Sequence, residues 1–185
     1  RTGAAGGIAA KYLARKDSSV LGLVGCGAQA RTQLLALKEL FKIKLVYVWG
    51  NKIEYCHKFL KDTRHLGLNL EIKDKISDCL EQADIVVTTT PVRRPIVKSE
   101  WIRDGTHINA IGADAKGKEE LEPELLKKSK IVVDDWQQAS HSGEINVPIA
   151  KGIISKKDIY ASLSEVLIGK KKGRISPKEI TIFDS

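Results

Sequence analysis

The sequence has no methionine, five prolines and three cysteines, and aromatic side chains make up only 5% of its 185 residues. Each scarcity excludes something. Cys26, Cys56 and Cys79 are odd in number, widely spaced and without a C-x-x-C pair, which leaves neither a disulfide framework nor a zinc cluster. His57, His65, His107 and His141 have no metal-ligand spacing with one another or with the cysteines, so no metal is expected. The formal net charge is +8, from 31 Lys and Arg against 23 Asp and Glu. The few aromatics do not interleave with the basic residues, however, so a stacking platform for nucleic acid is not expected. The basic runs Lys127-Lys128-Ser129-Lys130 and Lys170-Lys171-Lys172-Gly173-Arg174 read instead as solvated helix ends and turns.

Long apolar runs are also missing. Stretches such as Ile85-Val86-Val87 are too short to span a bilayer, and no basic-then-apolar leader opens the chain. A cytoplasmic protein without a membrane partner is expected. The lack of methionine, the start at Arg1 and the strand-like close at Ile180 to Ser185 read as a piece of a longer protein.

What is present is a rhythm. A Gly- and Ala-rich helix over Thr2 to Ala14 is followed by a strand at Ser19–Val24, a helix from Ala28 to Phe41, and a strand at Leu45–Trp49. A helix from Ile53 to Leu66, a strand at Leu68–Ile72 and a short helix to Gln82 follow. Further strands are expected at Ala83–Thr90, Thr106–Ile111 and Lys130–Asp134, with a helix from Lys118 to Ser129. Beyond Asp135 the pattern weakens into loops, a helix over Asp158 to Ile168 and a last strand. Strands alternating with amphipathic helices predict an α/β fold, a doubly wound parallel sheet with helices on both faces. Three parts are expected: a linking helix over 1–15, a main α/β domain over 16–179, and a strand over 180–185 returning towards another domain.

The most informative motif is Gly25-x-Gly27-x-x-Ala30, directly after the first strand and opening a helix. Gly25 permits a tight turn, Gly27 lets backbone approach a diphosphate, and Ala30 lets the helix pack closely on the strand. The helix start at Ala28 and Gln29 then presents free N–H groups and a positive dipole end. This pattern predicts a dinucleotide cradle.

The end of the second strand bears on which coenzyme fits. An NAD site usually carries an acid about 20 residues beyond the glycines. Here the run is Trp49-Gly50-Asn51-Lys52, with no acid until Glu54, so the reading leans towards NADP(H), with Asn51 and Lys52 as candidate phosphate partners. Ligands of such sheets bind beyond the carboxyl ends of the strands. Thr88-Thr89-Thr90-Pro91 and Ala110-Ile111-Gly112-Ala113-Asp114 are therefore expected to line one crevice, with Gly112 allowing a ring close and Asp114 meeting a substrate. An alternative for Asp114 is capping the helix expected near Lys118. His141 and Glu144 are read as a surface loop, and Ser142 lacks the G-x-S-x-G elbow of a hydrolase nucleophile.

The stretches R-T-G-A-A-G-G-I-A-A-K-Y-L-A from Arg1, G-C-G-A-Q-A from Gly25, T-T-T-P from Thr88, H-I-N-A-I-G-A-D-x-x-G-K-x-E-L from His107 and G-E-I-N-V from Gly143 resemble the ornithine cyclodeaminase/mu-crystallin family, most of all its archaeal alanine dehydrogenase branch. The resemblance runs over essentially the whole chain. It implies a homodimer whose subunits join a Rossmann domain to a separate dimerisation and substrate domain. It places Arg1 near the coenzyme phosphates or the substrate carboxylate. Ala28, Gln29, Gly50-Asn51-Lys52, Ala110 to Gly112, Lys118 and Ser185 would lie at the coenzyme, and Asp114 would handle the substrate amino group. The resemblance implies an NAD(P)-dependent enzyme acting on a small amino or imino acid; cyclodeamination of ornithine and a non-catalytic NADP(H)-binding role are its alternatives. The family's catalytic lysine and carboxylate-binding arginine precede the position of Arg1, so these residues alone are expected to bind coenzyme without turnover.

Overall fold

The computed structural model describes residues 1–185. In chain order the elements are α1 (Thr2–Leu13), β1 (Val20–Val24), α2 (Ala28–Leu40), β2 (Leu45–Trp49), α3 (Ile53–Thr63), β3 (Leu70–Ile72), α4 (Ile76–Leu80) and β4 (Ile85–Thr88). There follow β5 (His107–Ala110), α5 (Pro123–Lys127), β6 (Lys130–Val133), α6 (Trp136–Ser142), α7 (Asn146–Ala150), β7 (Ile159–Ser162), α8 (Leu163–Leu167) and β8 (Thr181–Asp184). The strands form one sheet ordered β3-β2-β1-β4-β5-β8-β6-β7. Every pairing is parallel. No helix is long and apolar enough to cross a membrane.

A parallel sheet covered on both faces needs strands apolar on both sides. β4 is buried throughout, and alternate residues of the strands supply two cores. Leu21, Leu23, Val46, Val48, Ile85, Val87 and Phe183 meet α1, α2 and α3 on one face. Val86, Ile108, Ile131, Val133 and Ile182 meet residues of α4, α5 and α6 on the other. The glycines of α1 let it lie directly on α2: a methyl group on Gly3 would come 2.6 Å from the Thr32 carbonyl oxygen, and one on Gly7 2.9 Å from Ala36 Cβ. Below this crossing, Asn109 Nδ2 donates to the Gly6 carbonyl and to Gln33, and Asn109 Oδ1 accepts from His107 Nε2 at 2.9 Å. His107 is fully buried, and burial lowers its pKa to about 3, so the ring is neutral.

The two ends of the sheet differ. At the amino ends of β1 and β4, Asp84 accepts from the backbone N–H groups of Ser19 and Val20 and from the guanidinium groups of Arg15 and Arg103. That end is closed by its own hydrogen bonds. The carboxyl ends carry the loops and cavities described below.

The closing strand is part of the sheet: β8 lies between β5 and β6, and its four residues are buried, Ile182 and Phe183 each facing one of the two cores. Three expectations change. The helix expected over Lys118–Ser129 shrinks to α5. The backbone N–H groups of Glu120 and Leu121 bind the Glu144 carboxylate instead of earlier carbonyls, and Pro123 opens the helix. Residues 159–162, expected as helix, form strand β7, and the helix α8 begins only after a capping box between Ser162 and Glu165. The region after Asp135 contains α6 and α7 rather than loops alone.

Two basic residues expected to be solvated are structural. Lys130 lies 2.7 Å from Glu179 with its side chain 11% exposed, and its Nζ stands 4.7 Å from the Tyr160 ring centroid. Arg174 donates to the carbonyls of Leu13 and Glu179, tying α1 to the approach of β8.

Candidate functional site

The turn after β1 is shaped by contacts on both sides. Gly25 has φ +116°, a conformation open to glycine, and its N–H donates to the Trp49 carbonyl at 2.8 Å. A side chain there would collide with the Thr89 hydroxyl. Gly27 is the N-cap of α2 and differs sharply: a methyl group built on it meets nothing within 4 Å. No side chain caps α2, and no acid lies in its first turn. The first-turn N–H groups of this 13-residue helix therefore have no side-chain cap, beside the open space at Gly27. This is the geometry a diphosphate requires, and it gives each motif glycine a separate reason. Ala30 is fully buried, as close packing of helix on strand demands.

Gly25, Cys26 and Gly27 form part of the wall of a cleft of about 410 Å³. Trp49, Gly50, Asn51, Tyr55 and Lys58 line its β2 side, and Thr89, Thr90, Pro91 and Val92 its β4 side. The absence of a side chain at Gly50 has a cause that the sequence pattern did not reveal. A Cβ there would stand 2.7 Å from Cys26 Sγ and 2.9 Å from Cys56 Sγ, two thiols that lie 3.0 Å apart. Burial pushes the Cys26 thiol well above its ordinary pKa, so it is not a poised nucleophile. A side chain at position 50 would require one of these thiols to move. Lys52 lies outside the lining; it is exposed, its Nζ 5.7 Å from the Tyr55 ring centroid, whereas Lys58 reaches the cleft.

A second, polar cavity of about 130 Å³ lies beyond the same turn. Arg1, Gln29, Ile111, Asp114 and Ser185 line it, together with Asp134 and Gln138, which no motif marks. Both missed residues follow β6, whose carboxyl end borders the site; their position after a strand was the available signal. The residues expected along one crevice are therefore divided, with Thr89 to Pro91 in the larger cleft and Ile111 and Asp114 in the smaller.

Several expected contacts take other forms. Asp114 is 72% exposed and ion-paired with Lys118 four residues on. No helix starts at Lys118, so Asp114 caps nothing. Ala110 is buried in the sheet. Gly112 has no room for a side chain: a Cβ would sit 2.5 Å from Glu120 Oε2 and from the backbone nitrogen and oxygen of Thr90. Nor is Glu144 in a surface loop. It is fully buried and accepts from Glu120 N at 2.8 Å and Leu121 N at 2.7 Å, while His141 is exposed on α6.

The order β3-β2-β1-β4-β5, all parallel, with a glycine turn between β1 and α2, defines a Rossmann-type fold. The chain belongs to the ornithine cyclodeaminase/mu-crystallin family, whose profile matches residues 1–185. It is 54% identical over 187 residues to an alanine dehydrogenase of Archaeoglobus fulgidus, covering 100% of this chain and 57% of that protein. An archaeal alanine dehydrogenase dimer solved with bound NAD superposes with a TM-score of 0.96 at 53% identity, over 100% of this chain and 57% of that one. The Δ1-pyrroline-2-carboxylate reductase of Thermococcus litoralis, solved with NADH and L-proline, gives 0.95 at 40% identity, over 98% and 57%. The chain thus spans little more than half the length of these relatives.

Proposed function

We propose that this chain is the coenzyme domain of an NAD(P)-dependent oxidoreductase acting on a small amino or imino acid. One observation carries the reading: the space beside Gly27 is empty of protein and faces the uncapped start of α2, at the edge of the 410 Å³ cleft. The backbone N–H groups of Ala28 and Gln29 hold the diphosphate there. When bound, a nicotinamide coenzyme supplies hydride transfer to or from the substrate α-carbon.

The chain's own residues bind and orient. The larger cleft receives the adenosine half between Trp49–Asn51 and Thr89–Pro91. The smaller cavity receives the substrate end, where the Arg1 guanidinium suits a carboxylate and the Asp114 carboxylate suits an ammonium or iminium group. Asp114 is the group placed to take or return a proton on the substrate nitrogen. The remaining machinery comes from outside these residues in the family pattern, so the chain by itself binds coenzyme without turnover. The whole protein acts as a homodimer, as the dimeric archaeal relative suggests.

The coenzyme preference leans to NADP(H). No acid that would repel a 2′-phosphate stands at Gly50, where the two sulfurs crowd a Cβ, and Asn51 and Lys58 line the cleft. The two solved relatives named above hold NAD or NADH, so the coenzymes are compared directly. The deciding experiment is an assay of the full-length protein with each coenzyme and with alanine, ornithine or a five-membered cyclic imino acid. Coenzyme-dependent turnover of alanine or the imine supports the reading. Ammonia release from ornithine without net coenzyme reduction makes the protein a cyclodeaminase, and coenzyme binding with no turnover makes it a binding protein.

A further inference from the structure

Three carboxylates sit one behind another beneath the site, and none touches a cationic side chain. Glu120, Glu144 and Asp184 are each fully buried. Asp184, at the end of β8, accepts from Glu144 N at 2.8 Å and Ile145 N at 3.1 Å. Glu144 in turn accepts from the backbone N–H groups of Glu120 and Leu121. Glu120 completes the series: its Oε1 accepts from Thr90 N and Thr90 Oγ1, both at 2.6 Å, and its Oε2 accepts from Gly112 N at 3.0 Å. Each carboxylate therefore holds the backbone that carries the next, from the central strand outward.

Burying even one such group is unfavourable, and desolvation holds all three above the usual carboxylate range, Asp184 at about 7. The three groups accept from backbone N–H groups that apolar packing would leave unpaired. What distinguishes Glu120 is where its partners lie. Thr90 lines the larger cleft, and Gly112 follows Ile111, which lines the smaller cavity. One carboxylate, using both oxygens, fixes the spacing between the loops after β4 and β5.

We propose that Glu120 is a positioning residue that sets the nicotinamide side of the site against its adenosine side, with Glu144 and Asp184 fixing Glu120 in turn. The proposal rests on the dinucleotide reading of the cleft. A glutamine at position 120 has one acceptor oxygen and one NH2 group. Its oxygen keeps the two Thr90 donors, and its NH2 then opposes Gly112 N–H, so the loop after β5 gives way first. Glu144→Gln loosens the same spacing from behind, since Glu144 holds the backbone N–H groups of Glu120 and Leu121.

The test is binding of NADH and of ADP-ribose, which lacks the nicotinamide ring, to this chain and to Glu120→Gln and Glu144→Gln. NADH is followed by its own emission, and folding by circular dichroism. The expected result is NADH binding weakened about tenfold, the effect of one lost charge-assisted hydrogen bond, with ADP-ribose binding held within about twofold. If Glu120→Gln fails to fold, Glu144→Gln is expected to show the same split. Equal affinities for both ligands in variant and parent, or an equal loss of both, overturns the positioning role. Absence of NADH binding by the unaltered chain overturns the coenzyme reading itself.

Discussion

Gly25 and Thr89 meet across the head of β1 and β4 so closely that the space of a Cβ on Gly25 is already filled by the Thr89 hydroxyl. Two residues on, Gly27 has nothing within that reach. The first glycine serves the protein, and the second leaves room for a ligand.

These two positions therefore separate under mutation. Gly25→Ala strains a φ of +116° and overlaps Thr89, and is expected to lower stability by roughly 2 kcal/mol or more. Gly27→Ala is expected to leave stability within about 1 kcal/mol and to weaken NADH binding at least about tenfold by intruding on the diphosphate. Thermal melts and coenzyme titrations of both variants check this. Equal stability losses with unchanged binding would contradict the assignment.

The coenzyme lean is tested at Lys58. It lines the cleft but also pairs with Asp62 at 2.8 Å, so it is 72% exposed yet partly neutralised. Lys58→Glu is expected to weaken NADPH binding about tenfold while changing NADH binding less than about threefold. Tighter binding of NADH than NADPH by the unaltered chain removes the lean altogether.

Asp114 is exposed at the smaller cavity and held by Lys118. In the full-length protein, Asp114→Asn is expected to lower kcat by about a hundredfold or more, the scale of a lost proton-transfer group, with NADH affinity unchanged. Unaltered turnover would leave Asp114 as a surface ion pair.

His107 gives the structure an acid limit. Its pKa is lowered to about 3, from 6.5 when unfolded, because the buried ring must stay neutral. The unfolded chain takes up a proton that the folded chain refuses, so this contribution to stability is complete above pH 6.5 and is lost as pH falls towards about 3. The limiting slope is ~1.4 kcal/mol per pH unit. Denaturant midpoints between pH 7 and pH 4 are expected to fall less steeply in His107→Asn than in the parent, whatever the variant's starting stability.

Much of this was legible in the sequence, because it is written in neighbouring residues. β2 matches its expected bounds, and β1, β5 and β6 fall within a residue or two, since β-branched runs between turn residues are local signals. The glycine turn was equally local. What escaped depends on partners far along the chain. Glu144 looked like a surface residue because its partners lie on Glu120 and Leu121, and nothing beside it announces a buried acid. The helix ending at Ser129 was expected to begin at Lys118 for the same reason. β7 was read as helix because Ser162 and Glu165 start one directly after it. Gly50 was read as a missing acid, whereas its neighbours Cys26 and Cys56 come together only in the folded sheet.

Trp49 lines the cleft beside Gly25, Cys26 and Gly27, where it reports on a dinucleotide whose diphosphate the following amides grip. Titrating NADH and NADPH while following tryptophan emission is the most direct test. Saturable quenching that ADP-ribose reverses, and that Gly27→Ala diminishes, is the predicted result. Emission and melting temperature indifferent to both coenzymes would contradict the account.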